Sequence, residues 1–136
     1  MRNIDFPYLP KDYIQTKEGL IFAVVSYQPH QDKVGCFLRY IPEGKGWKKI
    51  DTEQANKLLQ QSYPEYMYQS VQFDAAFHAV DVKDIVQHHR PEQALKTILQ
   101  RKPSDVIEEK LHQLLPILIR FGAERDSLGL TGSILI

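Results

Sequence analysis

Residues 20–28 are apolar on both alternating faces: Leu20, Phe22 and Val24 lie on one, and Ile21, Ala23, Val25 and Tyr27 on the other. Successive side chains of an extended chain point to opposite sides of a sheet. A strand of this pattern therefore needs cover on both faces and belongs in a sheet interior. Lys17-Glu18-Gly19 supplies a turn before it, with a glycine suited to positive φ, after a short strand at 13–16. A loop at 29–33 leads to a strand at 34–41. Pro42-Glu43-Gly44-Lys45-Gly46 then turns the chain into a shorter strand at 47–50. Connections this short favour antiparallel neighbours, so a meander is expected.

At Asp51 the period changes from two to 3.6. Asp51 or Thr52 can cap a helix carrying Ala55, Leu58, Leu59 and Ser62 on one face, and Pro64 ends it. Tyr63, Tyr66 and Tyr68 are expected in a loop, followed by a strand over 73–80. Asp81 and Asp84 suit the first turn of a short helix. Pro91 suits the start of another, with Ala94, Leu95, Ile98 and Leu99 inward. Asp105 opens the clearest helix. Ile107, Leu111, Leu114, Leu115 and Leu118 form its apolar face, Glu108 and Glu109 lie in its first turns, Arg120 lies in its last, and Gly122 follows as the C′ residue. Strands followed by helices and one last strand predict an α+β fold. The expected form is an antiparallel β-meander of three to five strands packed against about four helices, with a C-terminal strand.

The composition narrows function. Seventeen basic residues balance seventeen acidic ones, and the pI is about 7.0. A basic field over the whole surface is absent, so any nucleic-acid contact must be local. Cys36 is the one cysteine, which excludes an intramolecular disulfide, and its apolar run marks it as a small buried hydrophobe. Residues 1–20 carry Asp5, Asp12 and Glu18 and no long apolar run, so no signal peptide is expected. The apolar stretches fall short of the ~20 residues that span a bilayer. A cytoplasmic protein with no membrane partner is the expectation.

Few constellations carry chemistry. Lys45, Lys48 and Lys49 surround Trp47, the single tryptophan. Such a patch can stack a base and contact phosphate, and its bland counterpart is a solvated turn with Trp47 anchored on the core. His88-His89-Arg90 reads as a helix end, where adjacent histidines point about 100° apart and do not share a metal. His78 and His112 could meet only through the fold, and His30 sits in a loop. Asp51 and Glu53 read as a cap with its dipole partner, and Glu124 and Asp126 as a surface turn. No catalytic residue or metal ligand is assigned. Gly132-Ser133 follows an apolar strand and precedes a fresh apolar run, the arrangement in which a glycine backbone and a serine hydroxyl can hold phosphate.

Four segments carry a resemblance. They are Asp12 to Val25, Phe37-Leu38-Arg39-Tyr40-Ile41-Pro42, Tyr63-Pro64-Glu65-Tyr66 and, most strongly, Leu128-Gly129-Leu130-Thr131-Gly132-Ser133-Ile134-Leu135-Ile136. Together they resemble the N-terminal region of a family of predicted nucleotidyltransferases of archaea and some bacteria, itself similar to the polymerase-β nucleotidyltransferase superfamily. The resemblance implies that Gly132 and Ser133 bind nucleotide phosphates. In the superfamily an Asp-x-Asp or Asp-x-Glu pair shortly afterwards holds two magnesium ions, which neutralise the phosphates during transfer. No such pair follows Ser133 within these 136 residues. The expectation is therefore an α+β N-terminal domain over 1–125 and, over 126–136, the first strand and Gly-Ser turn of an incomplete nucleotidyltransferase-like domain. It would serve as a substrate-binding or accessory part, inert alone, with magnesium and a nucleoside triphosphate belonging only to a complete homologue. Nucleotide or nucleic acid is the implied partner of a full-length protein. Self-association is expected through the unpaired edge of the C-terminal strand. The alternative is a stand-alone α+β binding module.

Overall fold

The computed structural model describes residue 2 and residues 4–70, 75–124, 128 and 129, with residues 70, 75 and 76 described by backbone alone. The chain divides into two compact units, Met1–His88 and His89–Ile136. It is mixed α+β.

The first unit is built on an antiparallel sheet. Its strands are β1 Tyr13–Thr16, β2 Ile21–Val24, β3 Lys33–Glu43, β4 Gly46–Lys49, β5 Met67–Ser70, β6 Ala75–Asp81 and β7 Ile85–His89. Their order is β5-β6-β3-β2-β1-β7, with β4 on β3. β1 to β4 form the expected meander, each strand antiparallel to the next. The doubly apolar strand is interior, between β1 and β3. The eleven-residue β3 organises the sheet: β2 pairs with its middle, β6 with its first half and β4 with its last. The first loop is closed by the Gly19 N–H donating to the Thr16 carbonyl at 2.9 Å. Gly19 has φ +87°, and a Cβ there would lie 2.8 Å from Pro42 Cγ, so both backbone and space require glycine.

One face of the sheet makes the core. Val34, Cys36 and Leu38 alternate along β3 and meet Phe22 and Val24 across β2 and Val80 across β6. Helix α1, Thr52–Ser62, covers them with Ala55 and Leu59. Asp51 caps it: its carboxylate accepts the Gln54 N–H at 2.8 Å, and the Gln54 side chain accepts the Asp51 N–H at 3.1 Å. Phe6 and Tyr8 of the N-terminal segment close one end of the core.

The second unit contains α2 Pro91–Leu99 and α3 Val106–Arg120. Pro91 stands at the start of α2, where its missing N–H costs nothing. Asp105 caps α3 by accepting the Glu108 N–H at 2.8 Å, and Gly122 ends it in the left-handed region at φ +105°. No helix among the described residues is long and apolar enough to cross a membrane.

Four expectations are corrected. Among the described residues the sheet has seven strands rather than three to five, and there are three α-helices rather than four. The loop expected over Tyr63–Tyr68 is a 3-10 turn, Pro64–Tyr66, running into β5. The helix expected from Asp81 is also a single 3-10 turn, Val82–Asp84. Asp81 caps it through the Lys83 N–H, and the β-branched pair Ile85-Val86 then extends the chain into β7. The strand expected over 127–136 lies outside the described residues except at Leu128 and Gly129.

Candidate functional site

The β3–β4 hairpin carries the basic and aromatic cluster. Its register sets Trp47 opposite Pro42, Lys48 opposite Ile41 and Lys49 opposite Tyr40. The Trp47 indole N–H donates to the Gly19 carbonyl at 3.1 Å. The ring is therefore fixed at two points, by its strand pairing and by the neighbouring turn. Trp47 is 42% exposed, so it is not the core anchor that its aromatic character suggested. Lys45, Lys48 and Lys49 are exposed and hold no hydrogen-bond or ion-pair partner among the described residues.

The turn beneath the indole is itself held from the core. The Tyr66 hydroxyl donates to Glu18 Oε1 at 2.8 Å, and Tyr66 is buried beside Phe22. Burial raises the Glu18 pKa, but the Tyr66 hydrogen bond and other donors outweigh it and keep the carboxylate ionised. Burial and the facing Glu18 push the Tyr66 phenol up. Lys17, one residue away and exposed, extends the cationic surface.

A second cluster is buried under the N-terminal segment. Asp12 is 1% exposed. Its carboxylate accepts two hydrogen bonds from the Arg2 guanidinium at 2.5 and 2.8 Å, one from His88 Nε2 at 2.6 Å and one from the Leu9 N–H at 3.0 Å. The Tyr8 ring lies 4.6 Å from the His88 ring, and Arg2 also donates to the Pro7 carbonyl at 2.7 Å. Burial alone would raise the Asp12 pKa, yet the hydrogen bonds from His88, Arg2 and Leu9 together hold it below the usual carboxylate range. His88 is thus a half-buried strand residue in an ionic cluster, not an exposed histidine at a helix end. Arg2, Leu9 and His88 all turn hydrogen bonds onto the Asp12 carboxylate, so the cluster binds the N-terminal segment and β7 to β1.

His78 is the other buried ionisable group. Its Nδ1 accepts the Leu38 N–H at 2.9 Å, which fixes the proton on Nε2, and that N–H donates to Asn56 Oδ1 at 2.6 Å. Burial, aided by the charge of Arg39, lowers its pKa to about 4, so the ring is neutral and ties α1 to the sheet. Ser26 Oγ lies 3.0 Å from His30 Nε2, but the hydroxyl donates to the Gln28 carbonyl at 2.8 Å. That arrangement locks a turn and leaves no activated nucleophile. His112 Nε2 donates to the Ile98 carbonyl at 3.0 Å. Cys36 is inaccessible, and burial raises its thiol pKa. Among the described residues no three His, Cys, Asp or Glu side chains gather as a metal site requires.

Gly132 and Ser133 lie outside the described residues. Gly129, in the same segment, is described, and packing alone accounts for it: a Cβ there would stand 2.7 Å from Pro91 Cβ. Sequence reasoning missed the Asp12 cluster because Arg2, Asp12 and His88 share no spacing. It found the hairpin lysines because they are contiguous.

The chain is similar to the uncharacterized protein MJ1086 of Methanocaldococcus jannaschii, with 29% identity over 144 aligned positions that cover 93% of this chain and 42% of that protein. The chain thus spans less than half the length of that relative. No family model matches the chain, and no solved structure matches it.

Proposed function

We propose that this chain is the substrate-binding or accessory part of a cytoplasmic nucleotidyltransferase-like protein, and that its β3–β4 hairpin contacts a single-stranded nucleic-acid acceptor. The observation that carries this is the exposed Trp47 ring, held by the Gly19 carbonyl and flanked by three lysines without partners. A ring held in advance loses little freedom when a base stacks on it, and stacking contributes ~1–3 kcal/mol per base. The lysines supply phosphate contacts that no internal carboxylate neutralises. The resemblance of the 128–136 segment supports the nucleotidyltransferase half of the reading. In a complete protein, Gly132 and Ser133 would hold the nucleotide phosphates, and magnesium with a nucleoside triphosphate would act on the catalytic part. The described residues contain no metal site of their own.

Trp47 is the only tryptophan, so its fluorescence reports on the site directly. Titration with a single-stranded oligonucleotide should quench it saturably. The log of affinity should fall with log salt at a slope of about −2, as three phosphate contacts on a single strand give. Lys48→Ala should flatten the slope by about 0.7. Unchanged fluorescence up to about 100 μM oligonucleotide at low salt, where even non-specific binders associate, would leave the hairpin a solvated turn.

A further inference from the structure

We infer that α3 is a homotypic interface, through which two copies of this chain pair antiparallel. Ile107, Leu111, Leu114, Leu118 and Phe121 recur at alternating steps of four and three residues. That spacing keeps one apolar seam facing a partner helix. The helix is seated in its own unit mainly by the buried Leu115 and Glu108, with Leu111 half-buried, and the rest of the seam is exposed. Ile107 is 63% exposed, Phe121 83%, Leu114 47% and Leu118 40%, and Ile117 widens the strip. With roughly 100 Å² bare on each such side chain, the strip presents several hundred Å² per copy. That matches the largest apolar patch a monomer carries, about 300–600 Å² and often functional, and supplies more than half of the ~800 Å² per partner of a standard interface.

The occupant is a second copy because the seam matches itself. No charged residue stands among its five main positions, and Lys110, seven residues before Ile117, lies at its edge, so a partner with charges over the centre of the seam would bury them unpaired. Antiparallel pairing about the middle of the helix seats Ile107 against the partner's Leu118 and Leu111 against the partner's Leu114, filling every layer from 107 to 118 with apolar pairs. It also sets the acidic start of one helix, with Asp105, Glu108 and Glu109, beside the end of the other, with Arg120. Parallel pairing would align the dipoles and bring like ends together. The seam residues Leu111, Leu114 and Leu118, with Leu95, Leu115 and Leu128, line an apolar groove of about 210 Å³, room for one large aliphatic side chain of the second copy.

Sedimentation equilibrium of the full 136-residue chain should show a dimer at tens of micromolar. Ile107→Lys with Leu118→Lys should give a monomer with an unchanged melting temperature. A parent chain that stays monomeric at about 100 μM, or a folded double variant that stays dimeric, overturns the proposal. Cysteines test the geometry without adding charge, since Cys36 is buried and silent. Ile107→Cys together with Leu118→Cys should form a covalent dimer under mild oxidation, whereas each single substitution should not. Covalent dimers from the single substitutions would mean parallel helices and would overturn the antiparallel arrangement.

Discussion

The two units treat their apolar residues differently. In Met1–His88 the strands put Ile14, Phe22, Val34, Cys36, Leu38 and Val80 almost wholly out of solvent. In His89–Ile136 the best-formed helix leaves most of its apolar side chains in water and buries Leu115 and a glutamate. The polar groups follow the same division. Asp12 and His78 are inside the sheet unit with their hydrogen-bonding atoms engaged, whereas the buried Glu108 carboxylate depends on Ser104 and on Arg101, whose side chain is itself half-exposed. A sheet with one covered face closes its own core. Two helices alone have too little facing surface to do so, and their remaining apolar face is available for association.

The sharpest test of this contrast replaces one apolar residue in each unit with aspartate. Val24 is 2% exposed in β2, between two paired strands. A carboxylate there has no partner, and its burial costs several kcal/mol, comparable with the whole ~5–15 kcal/mol of a typical domain. Val24→Asp should abolish the cooperative thermal transition of the sheet unit. Leu118→Asp, at concentrations that keep the chain monomeric, should move the melt by no more than about 1 kcal/mol. Comparable losses from the two substitutions would mean that the helical unit is closed after all.

The Asp12 cluster gives the next effect. Removing one member of a buried, hydrogen-bonded ion cluster costs about 3–5 kcal/mol, because the remaining charges lose their partner. Asp12→Ala should fall within that range. The sign of the pH dependence follows from the lowered pKa of Asp12. Its contribution is fully present above the ordinary aspartate value of about 3.9 and is lost as pH falls through the lower folded value. Urea midpoints of parent and variant should therefore converge below about pH 4. A constant gap down to pH 2 would show that the carboxylate is not what holds the segment.

How much of this could be read from the sequence depends on the range of the interaction. The period-two pattern of 20–28 and 34–41 placed β2 and β3, and Asp51, Pro91 and Asp105 placed the helix starts, because those signals are local. The strands β5 and β7 were missed. Pro64 ends α1 and so reads as the opening of a loop at β5, and the Asp81 and Asp84 pair before β7 is a helix-start signal; each here sits at a single 3-10 turn that runs into a strand. With β7 read as helical, His88 was put on the wrong kind of element, and its meeting with Asp12 across 76 residues had no local trace. The hairpin lysines were visible, but whether Trp47 faces the core or the solvent depends on Gly19, which packing alone brings beneath it.

His78 offers the smallest and most specific effect. It belongs to the sheet unit, and no equivalent exists in α2 or α3, where His112 bonds to a backbone carbonyl. Its folded pKa, about 4, lies below the ~6.5 of an unfolded histidine. As pH falls, the unfolded chain takes up this proton first, so folding must exclude it. Stability from this residue is complete above about pH 6.5, declines between 6.5 and 4, and is level below, for a total on the order of 3 kcal/mol. The window lies above that of Asp12, so the two effects separate on one titration. In His78→Gln the decline over that window should be absent, and the gap between parent and variant should narrow steadily from pH 7 to pH 4. A gap that stays constant across that range would mean the ring can be protonated in place. The tie between Leu38, His78 and Asn56 would then be loose, and the sheet unit would not be the closed one of the two.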